Sequence, residues 1–244
     1  LAVDRVRYVG DAVVVVVADT KGQARDAAEA VEITYVELPA VTEAVDALKP
    51  GAPQIHPEAD GNLIFDWEIG DSKAVDEALS KAAHITKMKI VNNRLVPNAM
   101  EPRAALGVYD KGDDHYTCWT TSQNPHVARL VMSAFYNVAP ENKLRVIAPD
   151  VGGGFGSKIY IYPEEIVCLW ASKKTGVPVK WVADRTESFL SDAHGRDHVS
   201  ELQLGFDKDN RMVGFKVDTI ANLGAYMSLF SSCVPTYLYA TLLS

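Results

Sequence analysis

Four glycines within five positions, Gly152-Gly153-Gly154-Phe155-Gly156, followed by Ser157-Lys158, constrain this chain more than any other stretch. The run follows a β-type segment, Leu144 to Ala148, and precedes a helical pattern from about Pro163 to Lys174. Glycine loses more conformational freedom on folding than any other residue, so such density belongs where backbone takes positive φ or approaches a ligand closely. A lone aromatic in the middle, Phe155, suggests that something packs there. A ligand loop is therefore favoured over a plain tight turn.

Spacing tests the known glycine signatures. The dinucleotide pattern G-x-G-x-x-G read from Gly152 requires glycine at 157, which is serine; read from Gly154 it requires glycine at 159, which is isoleucine. The phosphate-cradling P-loop ends in Gly-Lys-Ser/Thr, whereas the order here is Gly156-Ser157-Lys158. Neither fits, and both count against a nucleotide-binding protein. Strand, glycine turn and helix start still present several N–H donors suited to an anion.

A length of 244 residues accommodates one large domain or two ordinary ones. With 48% hydrophobic and 23% charged residues there is ample material for a core. A net charge of −8 gives no electrostatic footprint for nucleic acid or an acidic membrane, and no apolar run reaches the length of a transmembrane segment. Cys118, Cys168 and Cys233 are far apart, which argues against a disulfide framework or a cysteine-rich metal site and for a reducing compartment. The chain starts at Leu1 and stops at Thr241-Leu242-Leu243-Ser244 inside an apolar pattern, so both ends look cut and the chain is read as a fragment.

In chain order, Ala12 to Ala18 and Ile33 to Val36 read as strands around a short helix, Ala24 to Val31. The stretch from Lys49 to Gly61, with Pro50, Gly51, Pro53, Pro57 and Gly61, has linker composition. Boundaries are placed at 1–48, a linker at 49–70, and a second domain at 71–244. Asp71 or Ser72 caps a helix to Ala83 with Val75, Ala78, Leu79 and Ala82 on one face, and Ile85 to Leu95 alternates as a strand. Ala105–Tyr109 and His115–Thr120 form a hairpin. Asn124 and Pro125 open a helix to about Tyr136. Val179–Val182 is a strand, and His198 to Phe206 and Met212 to Asn222 meet at Asp207-Lys208-Asp209-Asn210. Strand runs mixed with helices predict an α+β fold.

Candidate chemistry is sparse. His194 and His198 have the spacing of a helical metal pair, but Gly195, Asp192 and Asp197 make a polar loop the better reading. Glu164 and Glu165 suit a helix start, and Asp110, Asp113 and Asp114 suit a turn without a calcium pattern. No nucleophile elbow is present. Thr120-Thr121-Ser122-Gln123-Asn124-Pro125 repeats the strand–loop–helix punctuation of the glycine loop. Ser122 and Asn124 are explained as turn and cap residues. Gln123 is not, and its amide could donate to an oxygen-rich ligand.

Taken together, the motifs resemble the molybdenum-cofactor subunit of the xanthine oxidase, aldehyde oxidase and aerobic carbon monoxide dehydrogenase family. The matching pieces are Arg7-Tyr8-Val9-Gly10-Asp11-Ala12-Val13, Glu37-Leu38-Pro39-Ala40-Val41, Met100-Glu101-Pro102-Arg103 and Thr121-Ser122-Gln123-Asn124-Pro125. With them go Gly152 to Lys158, Pro178-Val179-Lys180-Trp181, Asp184-Arg185-Thr186-Glu187 and Gly224-Ala225-Tyr226, in the family's order over nearly the whole chain. The resemblance implies part of an α/β hammerhead domain followed by the first part of a molybdopterin-binding domain. It implies cofactor contacts from Gln123, Gly153, Gly154, Phe155, Gly156 and Ser157, with Gln123 and Phe155 near the molybdenum but not ligating it. Gln123 would hydrogen-bond an oxo ligand of the metal.

The implied reaction is hydroxylation with water-derived oxygen, electrons passing from molybdenum to iron–sulfur clusters and flavin. The base glutamate and the substrate loop of the family lie beyond Ser244, so no catalytic residue is assigned in this chain. Purine-hydroxylating members carry a glutamate after the loop lysine; here it is Ile159, and the surrounding Ser157 to Pro163 looks closest to carbon monoxide dehydrogenase large chains. The resemblance thus favours carbon monoxide over an aldehyde or N-heterocycle. It implies a molybdopterin cytosine dinucleotide cofactor, with copper at the molybdenum site for a carbon monoxide dehydrogenase. Implied partners are an iron–sulfur small subunit and a flavin medium subunit, in a dimer of heterotrimers. The implied location is cytoplasmic, with association at the inner membrane face left open. A non-catalytic scaffold that kept the fold is the reading from another class; loss of Gln123 or Phe155 would mark it, and both are present.

Overall fold

The computed structural model describes residues 1–238, so the apolar run Thr241 to Ser244 lies outside the described residues. In chain order it runs α1 (Lys21–Glu29), α2 (Ala44–Ala47), α3 (Ser72–Ser80), β1 (His84–Asn92), β2 (Ala104–Asp110), β3 (His115–Thr120) and α4 (Pro125–Ala134). There follow β4 (Leu144–Ile147), α5 (Pro163–Thr175), β5 (Val179–Val182), α6 (Arg185–Ser191), β6 (His198–Phe206) and β7 (Met212–Ala221). The chain divides into two compact units: Leu1–Val36 with Val96–Gly195, and Glu37–Leu95 with the described residues from Arg196 onward.

The first unit holds a four-stranded sheet in the order β4-β3-β2-β5. β2 and β3 form the expected hairpin, its turn closed by Asp110 Oδ1, which accepts from the Gly112 and Asp113 N–H groups at 2.8 and 3.3 Å. β5 joins β2 antiparallel, while β3 and β4 run parallel with α4 between them in sequence. Strict alternation in β3 buries Tyr116, Cys118 and Thr120 on one face. Met132 of α4 and Leu169 of α5 join Tyr116, Cys118, Ala139 and Leu144 in a continuous core. α5 begins on Pro163 and ends where Gly176 turns left-handed at φ 76°.

The second unit is a three-stranded antiparallel sheet, β1-β6-β7, with α3 packed on β6 and β7 through buried Leu79. Asp71 caps α3 by accepting from Ala74 N at 2.9 Å. The Pro/Gly-rich stretch before it is tied down by side-chain amides. Gln54 Nε2 donates to the His56, Pro57 and Ala59 carbonyls, and Asn62 donates to the Ala47 and Pro53 carbonyls. Among the described residues no helix is long and apolar enough to cross a membrane.

Two expectations fail in the first 36 residues. Ala12–Ala18 and Ile33–Val36 join no ladder among the described residues, and Val14, Ile33 and Val36 are exposed. β-branched residues favour extended backbone, but a strand exists only where another backbone pairs with it. The helix between them starts earlier than expected, at Lys21, because Thr20 and Gln23 form a reciprocal capping box and Gly22 falls inside it.

Candidate functional site

Sheet topology brings four of the sequence motifs to one edge. Because β3 and β4 are parallel neighbours, the loops after them, Thr121–Asn124 and the glycine loop, leave the sheet side by side. β2 runs antiparallel to β3, so the segment entering β2, with Glu101 and Arg103, starts beside the end of β3. β5 is antiparallel to β2 and delivers Asp184 and Arg185 to the same edge. Arg185 closes it by donating to Asn98 Oδ1 at 2.5 Å and to the Met100 carbonyl at 2.9 Å. Crevices outside the carboxyl ends of neighbouring parallel strands are where open sheets bind ligands.

Each glycine of the loop has its own reason. Gly153 and Gly156 have φ of 89° and 92°. Gly152 and Gly154 leave no room for a side chain: a Cβ on the first would lie 2.7 Å from Glu101 Cβ, and on the second 2.3 Å from Gln123 Oε1. The loop is therefore pressed between Glu101 and Gln123.

Gln123, on the neighbouring loop, lies against the glycine loop and is part of its support. Its Oε1 accepts from the Gly156 N–H at 3.0 Å and the Lys158 N–H at 3.2 Å, and its own N–H donates to the Lys158 carbonyl at 2.9 Å. Two N–H donors on one amide atom require that atom to be oxygen, which fixes the side-chain orientation. The amino group, Nε2, has no acceptor among the described residues. Ser122 Oγ accepts from Asn124 N at 3.0 Å, while Asn124 itself holds the cap position of α4 without a side-chain cap bond.

On the opposite side, Glu101 Oε2 accepts from Gly152 N at 2.8 Å and from Lys158 Nζ at 2.9 Å. Burial pushes the Glu101 carboxyl up, but the hydrogen bonds from Lys158 and Gly152 and the Lys158 charge bring it below the ordinary 4.5. Beneath the loop, Tyr162 Oη donates to the Ser157 carbonyl at 2.6 Å and accepts from Ala193 N at 2.9 Å. Ser157, buried, returns its hydroxyl to the Gly154 carbonyl at 2.9 Å. Arg103 lies 3.6 Å over the Tyr162 ring and pairs with Asp192 at 2.6 Å and Glu164 at 3.0 Å. Glu165 is buried; it accepts from Thr120 Oγ1 at 2.5 Å and Tyr162 N at 2.9 Å, and burial raises its pKa despite these bonds. Glu164 and Glu165 are thus supports of the floor, each with a fixed partner.

The loop's N–H inventory is shorter than the sequence suggests. Gly152 donates to Glu101, Gly153 to the Val151 carbonyl, Gly156 and Lys158 to Gln123, Ser157 to the Gly154 carbonyl and Ile159 to the Gly156 carbonyl. Only Gly154 and Phe155 keep N–H groups without an acceptor among the described residues. Phe155 also corrects an expectation: nothing buries it. It is 76% exposed at a left-handed φ of 49°, a conformation a bulky residue rarely takes. His194 lies between α6 and β6 while His198 opens β6, and no cluster of three metal-binding side chains forms among the described residues. The buried Cys168 thiol is pushed up to about 12 by burial, which makes it inert as a nucleophile.

Glu101, Tyr162 and the buried end of Lys158 carry no local sequence signal for such roles, since they have partners 51, 31 and 57 residues away. A lysine ending a glycine loop that matches no phosphate signature was the one available hint.

The domain model described as molybdopterin cofactor-binding domain matches residues 55–244, and that of the aldehyde oxidase and xanthine dehydrogenase a/b hammerhead domain matches residues 1–39. The chain belongs to the aldehyde oxidase and xanthine dehydrogenase family. Its architecture is accordingly part of an α/β hammerhead domain followed by part of a molybdopterin-binding domain, α+β overall. It is 36% identical over 238 residues to the carbon monoxide dehydrogenase large chain of Hydrogenophaga pseudoflava, covering 93% of this chain and 30% of that one. It is 34% identical over 228 residues to the nicotine 6-hydroxylase large subunit of Paenarthrobacter nicotinovorans, covering 93% and 27%. Reconstituted CO dehydrogenase from Oligotropha carboxidovorans superposes with a TM-score of 0.77 at 34% identity, over 82% of this chain and 26% of that one. The chain therefore spans under a third of the length of these family members.

Proposed function

We propose that this chain supplies the Gln123 and glycine-loop side of a molybdenum–pterin pocket in the large subunit of a molybdenum hydroxylase, with carbon monoxide as the favoured substrate. One observation carries the cofactor reading: among the described residues, Gln123 Nε2 beside the glycine loop and the Gly154 and Phe155 N–H groups on it are left as donors, while the loop's other N–H groups are all spent. Donors held in place by their own backbone suit an oxygen-rich, anionic group, because they stabilise its charge without having to reorganise. The glycine at 154 brings bare backbone within reach of a ligand of that kind, and the exposed Phe155 ring offers it an apolar wall. These features fit the cofactor that the family's domain is named for.

When bound, that cofactor supplies two-electron redox chemistry and hands the electrons on. The residues of this chain orient it. Gln123 holds the loop with its oxygen and donates with its nitrogen, Gly154 and Phe155 donate from the backbone, and Gly153, Gly156 and Ser157 set the loop's path. In this reading the domains divide at 1–48, 49–70 and 71–244. An iron–sulfur small subunit and a flavin medium subunit complete the enzyme in a dimer of heterotrimers. The cofactor is the cytosine dinucleotide form, with copper beside the metal, and the enzyme works in the cytoplasm, where free thiols such as Cys118 and Cys168 persist.

Ile159 supports carbon monoxide over a purine, since its side chain has no hydrogen-bonding group to offer a heterocycle. The near-equal identity to a nicotine hydroxylase supports the second reading, an N-heterocycle or aldehyde hydroxylase. Turnover of the purified complex on carbon monoxide, an aldehyde and an N-heterocycle separates them: the favoured reading predicts the highest kcat/KM for carbon monoxide, and a preference for either organic substrate overturns it.

A further inference from the structure

Glu101 takes no part in the pocket as read above, yet it grips the glycine loop at both ends. Its carboxylate accepts from Gly152 N at 2.8 Å and Lys158 Nζ at 2.9 Å, and its backbone carbonyl accepts from Lys158 Nζ at 2.8 Å. Surface ion pairs leave both charges in water and contribute little. Here the Lys158 side chain is only 1% exposed, so its ammonium has left water and depends on the two Glu101 oxygens. The backbone of Lys158 meanwhile bonds Gln123 through both its N–H and its carbonyl. One residue thus ties together Glu101 and Gln123 across the end of the loop.

The span between the clamped ends is short and kinked. From Gly153 to Gly156 it includes three left-handed residues, Gly153, Phe155 and Gly156. A non-glycine residue held there carries strain that persists only when the surroundings fix the backbone. The surroundings that fix it are Glu101 at Gly152 and Lys158, Gln123 at Gly156 and Lys158, and Tyr162 at Ser157. The Glu101 contacts are the only ones of these that restrain both ends.

We propose that Glu101 and Lys158 are a positioning couple that holds the Gly154 and Phe155 N–H groups in place for the cofactor. The clamp stands on its own geometry; what those N–H groups meet rests on the cofactor reading.

The test uses Glu101→Gln, Lys158→Met and the double variant in the complete subunit, prepared with and without cofactor. Gln at 101 keeps the shape and an oxygen where Oε2 now accepts from both Gly152 N and Lys158 Nζ, but it removes the negative charge that the buried Lys158 ammonium depends on. In cofactor-free protein, amide exchange of the 152–158 peptide is expected to accelerate at least about tenfold in each single variant, with the 163–175 helix unchanged. The double variant should exchange no faster than Lys158→Met, because the couple acts as a unit. In loaded protein, the molybdenum electron-resonance signature should shift in Glu101→Gln while the fold, by circular dichroism, is retained. Unchanged loop exchange in both folded single variants overturns the couple. If Glu101→Gln does not fold, Glu101→Asp, one methylene too short to reach both partners, carries the same expectation. Failure of cofactor loading to slow exchange at Gly154 and Phe155 in the unaltered protein overturns the cofactor reading, while the cofactor-free comparison still decides the clamp.

Discussion

Gln123→Glu separates the two jobs of one side chain. Glutamate keeps an oxygen where Oε1 accepts from Gly156 N at 3.0 Å and Lys158 N at 3.2 Å, and it replaces the Nε2 donor with a second, anionic oxygen. Charge-assisted bonds from N–H groups are at least as strong as neutral ones, so the loop should survive with a stability change within about 0.5 kcal/mol. Gln123→Ala removes the one oxygen that accepts both bonds. The Gly156 N–H is exposed and water can replace its partner, whereas the Lys158 N–H is partly buried. Net losses of about 1 kcal/mol per bond put the cost near 1–2 kcal/mol. Toward an oxygen-rich anion the order reverses, because Glu presents a negative charge where the amide presented a donor. Thermal unfolding and molybdenum content of the purified subunit read the two jobs separately. Gln123→Glu is expected to keep stability and lose most of its molybdenum, while Gln123→Ala loses stability and part of its molybdenum. Full molybdenum occupancy and turnover in Gln123→Glu would refute the donor role.

Three further outcomes follow from the same geometry. Phe155→Ala should change unfolding free energy by less than about 1 kcal/mol, because the ring is exposed; a denaturant-melt loss of about 3 kcal/mol, as for a core aromatic, would contradict its placement. Tyr162→Phe leaves the ring beneath Arg103 but strands the Ser157 carbonyl and the Ala193 N–H, and should cost about 1–3 kcal/mol in the same assay. Glu165 has a folded pKa raised by burial, so the folded state holds its proton more tightly than the unfolded state, and stability falls as pH rises through the window above 4.5. Glu165→Gln should therefore gain stability relative to the unaltered protein as pH rises through that window, measured by melts at several pH values; a parallel pair of pH curves would contradict it.

Much of the fold was legible because its signals are local. The Asp71 cap, the Pro125 and Pro163 helix starts, the Gly176 stop and the alternation in β3 each act within a few residues. The flanks of α1 misled because Val13 to Val17 and Ile33 to Val36 carry strand propensity without a partner strand among the described residues. At the site, spacing pointed to the glycine loop and punctuation to Gln123, and topology then placed them together. What spacing could not give was the direction of the amide. Gln123 was read as dispensable to the turn, but its oxygen is the acceptor for two loop N–H groups contributed from more than 30 residues away. Glu101 escaped for the same reason, since its partners are distant in the chain and its own motif gives no local clue. Phe155 misled in the other direction: an aromatic among glycines suggests packing, and the structure leaves it in solvent.

The central claim is that the Gln123 and glycine-loop edge of the sheet holds the molybdenum–pterin cofactor. An anomalous difference map of the loaded subunit, collected at the molybdenum absorption edge, tests it most directly. The account predicts a metal peak beside Gln123 Nε2 and the Gly154 and Phe155 N–H groups. A fully occupied metal peak elsewhere, with this edge empty, would contradict it.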